Sequence, residues 1–183
     1  MVFQEKEALL TNGKICLLKS PGPEDAQRML DYLKQTAAET HFMLRLPEEV
    51  TMTKEAEVRF LQDSLENPSA VMINAVVDGE LAGNVGLNSV NPGRKTRHRA
   101  TVGIALLKRY WGMGLGRLLM EEAIRSALEM GYSQVELGVY EDNARAIRLY
   151  EKLGFERWGR SRRAFRLPDG VCLDEILMGR FLK

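Results

Sequence analysis

The sequence predicts a mixed α/β (α+β) domain: a largely antiparallel sheet with one parallel β-α-β step and flanking helices. Three observations carry this expectation. Residues 100–131 read as a short apolar strand, a turn with glycine at 112, 114 and 116, and an amphipathic helix stopped by Gly131. A further apolar run at 134–139 follows, as a parallel crossover requires. Two hairpin signals, Asp78-Gly79 and Pro168-Asp169-Gly170, each join a pair of strand candidates and supply the antiparallel part. With 183 residues, 45% apolar and 28% charged, the chain is expected to form one domain over 1–183 with a core of its own.

The elements follow in order. Residues 14–19 (KICLLK) are a first strand, closed by Ser20-Pro21-Gly22-Pro23. Pro23 suits the first position of a helix whose apolar face is Ala26, Met29, Leu30, Leu33 and Ala37. The connection 39–47 is apolar for a loop, so it either packs over the core, walls a substrate site, or does both. Thr53 caps a second helix holding Ala56, Phe60, Leu61 and Leu65, and Asn67-Pro68 ends it. Strands at 70–77 and 81–90 form the hairpin. The central strand, turn and helix come next, then the strand at 134–139. A helix over 143–153 is closed by Gly154, and strands at 155–165 and 172–181 finish the chain. The predicted order is therefore β-α-α-β-β-β-α-β-α-β-β.

Composition removes several classes of function. A net charge of +1 argues for neither a nucleic-acid nor a membrane partner. No apolar run approaches the ~20 residues that span a bilayer, and the N-terminus, MVFQEKEALL, has no signal-peptide core. Cys16 and Cys172 lie far apart in apolar runs without metal-ligand spacing, so two buried free thiols, a reducing compartment, a cytoplasmic location and no metal are expected. Charge distribution says more. No Asp or Glu occurs from Leu81 to Met120, while Arg94, Lys95, Arg97, Arg99, Lys108, Arg109 and Arg117 all do. The glycine turn thus lies in a basic stretch suited to a polyanion, although a solvated basic loop accounts equally well for 94–99.

The turn itself is a candidate anion cradle. The first amides of the helix have no intrahelical partner, and the positive end of the helix dipole stands behind them. Glycine lets the backbone take left-handed angles and lets a ligand approach without meeting a Cβ. Three spaced glycines would also satisfy a plain β-to-α turn. No Gly-Lys-Ser/Thr follows, so the phosphate loop of nucleotide hydrolases is excluded.

Three blocks together resemble the GCN5-related N-acetyltransferase family, over about 14–181. The first is Gly103-Ile104-Ala105-Leu106 through Tyr110-Trp111-Gly112-Met113-Gly114-Leu115-Gly116-Arg117. Trp111 stands where that family usually has Arg or Gln. The second, Asn143-Ala144-Arg145-Ala146-Ile147-Arg148-Leu149-Tyr150-Glu151-Lys152-Leu153-Gly154-Phe155, is similar to the family's C-terminal motif almost letter for letter. The third, from Gly154-Phe155 to Asp174 and Met178, resembles the closing hairpin of a branch that includes ribosomal-protein and small-amine acetyltransferases.

The resemblance implies transfer of acetyl from acetyl-CoA, the acyl-donor cosubstrate, directly to a primary amine of a small molecule or a peptide N-terminus. It implies that Gly112, Met113, Gly114, Leu115, Gly116 and Arg117 bind the pyrophosphate through their amides. Ile104, Ala105 and Leu106 would bind the pantetheine arm through their main chain, and Asn143 would hold the cofactor where it could equally be a plain helix cap. A homodimer is the family's habit. A coenzyme A-binding module with weak catalysis is the alternative.

Tyr150 lies two turns after Asn143. The apolar stripe Ala146, Leu149, Tyr150, Leu153 alone reads it as a core residue, and the resemblance makes it the catalytic acid facing the thiolate. A base for the amine is not assigned. Thr101 and Gly138 occupy the two positions where the family often has Glu, and Glu136, Glu141 and His41 are other candidates.

Overall fold

A computed structural model describes residues 1–183. One eight-stranded sheet runs through it in the order β1-β2-β3-β4-β5-β6-β8-β7. The strands are β1 (Lys6–Leu9), β2 (Ile15–Lys19), β3 (Ala70–Val77), β4 (Glu80–Ser89), β5 (Arg99–Leu106), β6 (Gln134–Tyr140), β7 (Glu156–Arg166) and β8 (Cys172–Phe181). The helices are α1 (Ala26–Glu39), α2 (Lys54–Glu66), α3 (Leu115–Glu129) and α4 (Ala144–Lys152). Every strand pair is antiparallel except β5 with β6, which the α3 crossover joins in parallel. The mixed α/β architecture expected from the sequence is the one formed, with one strand more than expected.

The additional strand is β1. Its four residues, Lys-Glu-Ala-Leu, alternate between half-buried and exposed, and Leu9 at its end faces solvent. An edge strand buries no full apolar face, so it leaves no alternation to read. It nevertheless serves the site. The turn after it carries Thr11, whose N–H donates to the Met113 carbonyl at 3.3 Å, and Asn12, whose Nδ2 reaches Met113 Sδ at 3.2 Å.

Local chemistry explains the other boundaries. Asp78 and Gly79 both have positive φ (51° and 79°), as the tight β3–β4 turn demands. The Thr53 hydroxyl accepts from the Ala56 N–H at 3.2 Å and caps α2. Gly131 and Gly154 follow α3 and α4 with φ near +80°. The core is continuous: Leu119, Met120, Ala123 and Ala127 of α3 pack against Ile73, Val85, Leu87 and Ala100 of the sheet, with Leu61 of α2 in the same cluster. Cys16 is buried there, which raises its thiol pKa to about 11. Cys172 departs from expectation: it is free but half-exposed at the β7–β8 turn, with the Arg163 guanidinium 3.6 Å from its sulfur. No helix is long and apolar enough to cross a membrane.

Opposed residues on neighbouring strands share a face of the sheet, and this sorts the site into two sides. Asn84, Asn88, Thr101, Gly103, Gly138, Tyr140 and Glu175 fall on one face by register. α1 covers that face, with Met29 against Asn74 and the Tyr32 hydroxyl on the Ala105 carbonyl. Leu119 of α3 packs at Gly83 on the other face, and Leu149 of α4 packs at Gly116 of α3.

Glu57 on α2 is 1% exposed, and one of its carboxyl oxygens has no hydrogen-bond partner. Burial raises its pKa, with the charge of Arg45 acting the other way. A carboxyl whose folded pKa exceeds its unfolded value of about 4.3 binds more protons when folded. Its contribution is therefore most favourable below that value and is lost as pH rises through the folded pKa. Urea denaturation of wild type and Glu57→Gln at pH 4.5 and 7.5 should show the balance shifting toward the variant at the higher pH. An equal difference at both pH values would contradict this.

Candidate active site

The site begins with a row of amides. From Gly112 through Arg117, no backbone N–H donates to any acceptor in the protein; Leu118 is the first that does, to the Gly114 carbonyl at 3.0 Å. Gly114 is the N-cap of α3, with φ +82° and ψ −10°, and no side chain caps the helix. Gly112 has the same positive φ. Successive left-handed glycines curl the chain so that its amides converge ahead of the helix dipole, the arrangement that binds phosphate oxygens. The β1–β2 turn braces this loop, since a Cβ on Gly114 would lie 3.1 Å from Thr11 Cγ2. Met113 and Leu115 give only their amides. Their side chains do not line the cavity: Met113 packs against the core and Leu115 is fully buried within it.

Beside the loop, β5 and β6 part company. They pair only from Arg99–Gln134 to Thr101–Glu136. β5 stays bound to β4 through Leu106, and β6 to β8 through Tyr140. The hydrogen-bond alternation is fixed at both ends. Leu107 N–H donates to Ala82 and Val90 N–H to Arg99, so odd-numbered β5 residues face β4; the His98 carbonyl accepts from Ser133, so even-numbered ones face β6. Ile104 and Leu106 therefore present main-chain groups to the gap. Ala105 does not: its main chain faces β4 and its carbonyl also accepts from the Tyr32 hydroxyl at 2.6 Å. The expected main-chain role of Ala105 is thereby corrected by register, although the residue still borders the cavity. The Leu106 carbonyl accepts from Trp111 Nε1 at 3.1 Å. Trp111 thus ties the loop to the strand end, and the Arg145 guanidinium sits 5.1 Å from its ring centre.

A cavity of about 1020 Å³ runs from the glycine loop past the gap to the 39–47 connection. Ile104, Leu106, Gly112, Gly114, Gly116, Arg117, Asn143 and Tyr150 all line it. The Asn143 Oδ1 accepts from the Ala146 N–H at 3.2 Å, so Asn143 caps α4 and still offers its side-chain nitrogen to the cavity. Tyr150 is 7% exposed, and its hydroxyl bonds to no protein group. Burial pushes its pKa up to about 12, so the phenol keeps its proton across the physiological range.

The basic stretch divides. Arg109 pairs with Glu80, Arg117 with Glu121 and Arg99 with Glu136. Arg94, Lys95 and Arg97 precede β5, roughly 20 Å of strand away from the loop. Positive charge reaches the cavity instead through Arg117 and Arg145 near the loop and Arg45 at the 39–47 connection, and Arg145 has no acidic partner. Among the candidate bases, Glu136 is gripped by Arg99, which lowers its pKa and makes it a weak base. Glu141 holds Arg160 and the Asp174 N–H. His41 Nε2 lies 2.7 Å from Asp142 at the rim. Thr101 and Gly138 line the cavity but bring no carboxylate. Glu175, which the sequence did not single out, is the one acidic residue on its wall. No three His, Cys, Asp or Glu side chains converge in a metal-holding arrangement.

The family model for the acetyltransferase (GNAT) family matches residues 26–155. The chain belongs to the GNAT acetyltransferase family. Members of this family are acyltransferases. Over 116 residues the chain is 30% identical to the L-amino acid N-acetyltransferase AaaT of Escherichia coli (strain K12), covering 63% of this chain and 70% of that one. A GNAT-family acetyltransferase from Streptococcus pneumoniae superposes with a TM-score of 0.86 at 30% identity, over 92% of this chain and 99% of that one. A Salmonella typhimurium protein, described with its cofactor acetyl-CoA, shares the fold at a TM-score of 0.79 and 17% identity, over 96% and 95% of the two chains. In this GNAT domain the unbonded amides, the left-handed glycines and the open side of β5 fit a ligand with a diphosphate at one end and amides along its arm.

Gly114→Ala tests the loop. A left-handed alanine costs about 1–2 kcal/mol, and its Cβ would crowd Thr11. Denaturant unfolding should show that loss, and calorimetric titration should show coenzyme A binding weakened about tenfold or more. Unchanged affinity would mean that the loop is not the diphosphate site.

Proposed function

We propose that the protein is an acetyl-CoA-dependent N-acetyltransferase that moves acetyl directly to a primary amine of a small molecule or a peptide N-terminus. The observation that carries this reading is the convergence, in one cavity, of six unbonded amides at the head of α3 and an unpartnered phenol on α4. Bound acetyl-CoA supplies an acetyl group activated as a thioester. Gly112 to Arg117 hold its diphosphate, with Arg145 and Arg117 adding positive charge. Ile104 and Leu106 bind the arm as an added strand would, and the Asn143 side-chain nitrogen donates to it. Ile104 and Leu106 thereby set the depth at which the thioester meets Tyr150.

Tyr150 then acts as a hydrogen-bond donor to sulfur. With its pKa near 12, giving its proton outright to a thiolate whose conjugate acid has a pKa of about 8.5 would be uphill by about 5 kcal/mol. A hydrogen bond to developing charge contributes about 1.5–3 kcal/mol and needs no such transfer. Neither cysteine competes as a nucleophile: Cys16 is buried with a raised pKa, and Cys172 lies outside the cavity wall.

The acceptor enters from the sheet face that α1 covers. Phe42, Met43 and Leu44 form one wall, and Tyr140, stacked on Phe165 at 3.8 Å, forms another. Arg45 supplies a cation that makes no salt bridge, though its charge also acts on the buried Glu57 carboxyl. Apolar walls with one free cation favour an α-amine carrying an apolar side chain and a carboxylate or carbonyl, and the L-amino acid activity named for the Escherichia coli relative supports that choice. An α-amine is also easier to use than a lysine-like amine, because its pKa near 8 leaves about a tenth of it neutral at pH 7. Nucleic acid is not the partner in this reading, and the free thiols suit a cytoplasmic setting.

Thiol release measured with acetyl-CoA and a panel of L-amino acids, their amides, short peptides and polyamines should single out α-amines. On the best acceptor, Tyr150→Phe should lower kcat about 10- to 100-fold and leave the acetyl-CoA Kd unchanged. Undiminished turnover in that variant would remove Tyr150 from the reaction.

A further inference from the structure

We infer that Glu175 is the general base that takes a proton from the acceptor ammonium. This deepens the proposed transfer to an amine and rests on it. Glu175 lies on β8 directly opposite Tyr140 of β6, on the same sheet face as Thr101 and Gly138, the face from which the acceptor arrives. Its carboxylate folds back over Gly138: a Cβ built on that glycine would collide with Glu175 Oε1 and Cδ. Glycine at 138 is therefore the room that the carboxylate occupies, beside the gap where β5 and β6 separate. A residue on the neighbouring strand thus brings an acid to the space that the glycine at 138 leaves open.

The surroundings leave this carboxylate free. Glu175 makes no ion pair and no hydrogen bond within the protein, while the acids around it are all engaged. Asp174 and Glu141 share Arg160 of β7, Glu136 holds Arg99, and Asp142 holds His41. The remaining charged or titratable groups on the cavity wall are Tyr140, Tyr32 and Arg45 and, toward the glycine loop and α4, Arg117, Arg145 and Tyr150. Burial chiefly, then the charges of Asp142 and Glu175, raise the Tyr140 pKa, so that neighbour stays a neutral phenol. A half-buried carboxylate with no cation of its own attracts an incoming ammonium and can accept its proton.

Protons and bonds balance as follows. Glu175 takes one proton from the ammonium and returns it to solvent through the cavity mouth. The freed lone pair forms the N–C bond to the acetyl carbonyl carbon, and the C–S bond breaks with its electron pair on sulfur. The second proton shed by nitrogen ends on that sulfur, giving amide and free thiol. Tyr150 stays protonated, hydrogen-bonded to the sulfur throughout.

The test is a pH profile of kcat and KM for wild type and Glu175→Gln, using the best acceptor of the amine panel. At pH 7 the variant's kcat should be about tenfold lower, because only about a tenth of an α-amine is neutral there. The deficit should shrink about tenfold per pH unit and close near the acceptor's own pKa, where neutral amine is abundant. Glu175→Ala combined with Gly138→Glu, which returns a carboxylate to the same space from β6, should recover part of the loss. A loss confined to KM, a loss unchanged with pH, or no loss would each overturn the assignment. If no amine of the panel accelerates thiol release by wild type, the acetyl-transfer reading itself falls, a result distinct from an active wild type indifferent to Glu175.

Discussion

A sheet that comes apart in its middle is the constraint on which the site depends. β5 is held by seven residue pairs to β4, and β6 by seven to β8, but only three join β5 to β6. Past Thr101 each strand follows the twist of its own half-sheet. The even-numbered residues of β5 are left with backbone groups facing a cavity inside the molecule. Unpaired main-chain groups in such a place cost free energy unless a ligand or water satisfies them, and an amide-bearing chain lying along β5 does so as a strand would. The glycine loop stands at the end of that same strand, tied there by the Trp111 indole on the Leu106 carbonyl. In the proposed reading, diphosphate and arm are therefore bound by consecutive stretches of one backbone.

The gap also sorts the chemistry by side. α3 and α4 sit on one face and bring the anion loop and the Tyr150 phenol. α1, the 39–47 connection and β8 bring Phe42, Arg45 and Glu175 to the other. In the proposed reaction a donor lodged between the strands meets its acceptor across the sheet, and the group that steadies the departing sulfur and the group that frees the nitrogen approach from opposite faces.

Much of this was legible in the sequence because local chemistry dictates it. Asp78-Gly79 has no good alternative to a tight hairpin, and the glycines at 112, 114 and 116 mark the start of an apolar helix that no polar side chain caps. The parallel step followed from the length of the 107–133 crossover. β1 was hidden because an edge strand of Lys-Glu-Ala-Leu buries too little to show a period. The alternation that turns Ala105 away from the gap depends on the β4 partner, which a single strand's letters do not encode. Glu175 was invisible for a related reason: its carboxylate reaches the space beside Gly138 from a different strand, across a register that only pairing reveals. Arg145 stood inside a recognised motif, yet its stacking on Trp111 depends on a crossing of α4 and the loop that spacing alone does not give.

The most direct test of the account follows the backbone amides by 15N–1H correlation spectra while coenzyme A is added to the intact protein. The resonances of Gly112 through Arg117, together with those of Ile104 and Leu106, should shift saturably and along a common isotherm, while those of Arg94 to Arg97 stay in place. If the loop amides do not respond while coenzyme A binds, or if the basic 94–97 segment responds in their stead, the donor lies elsewhere and the picture of one continuous backbone site is wrong.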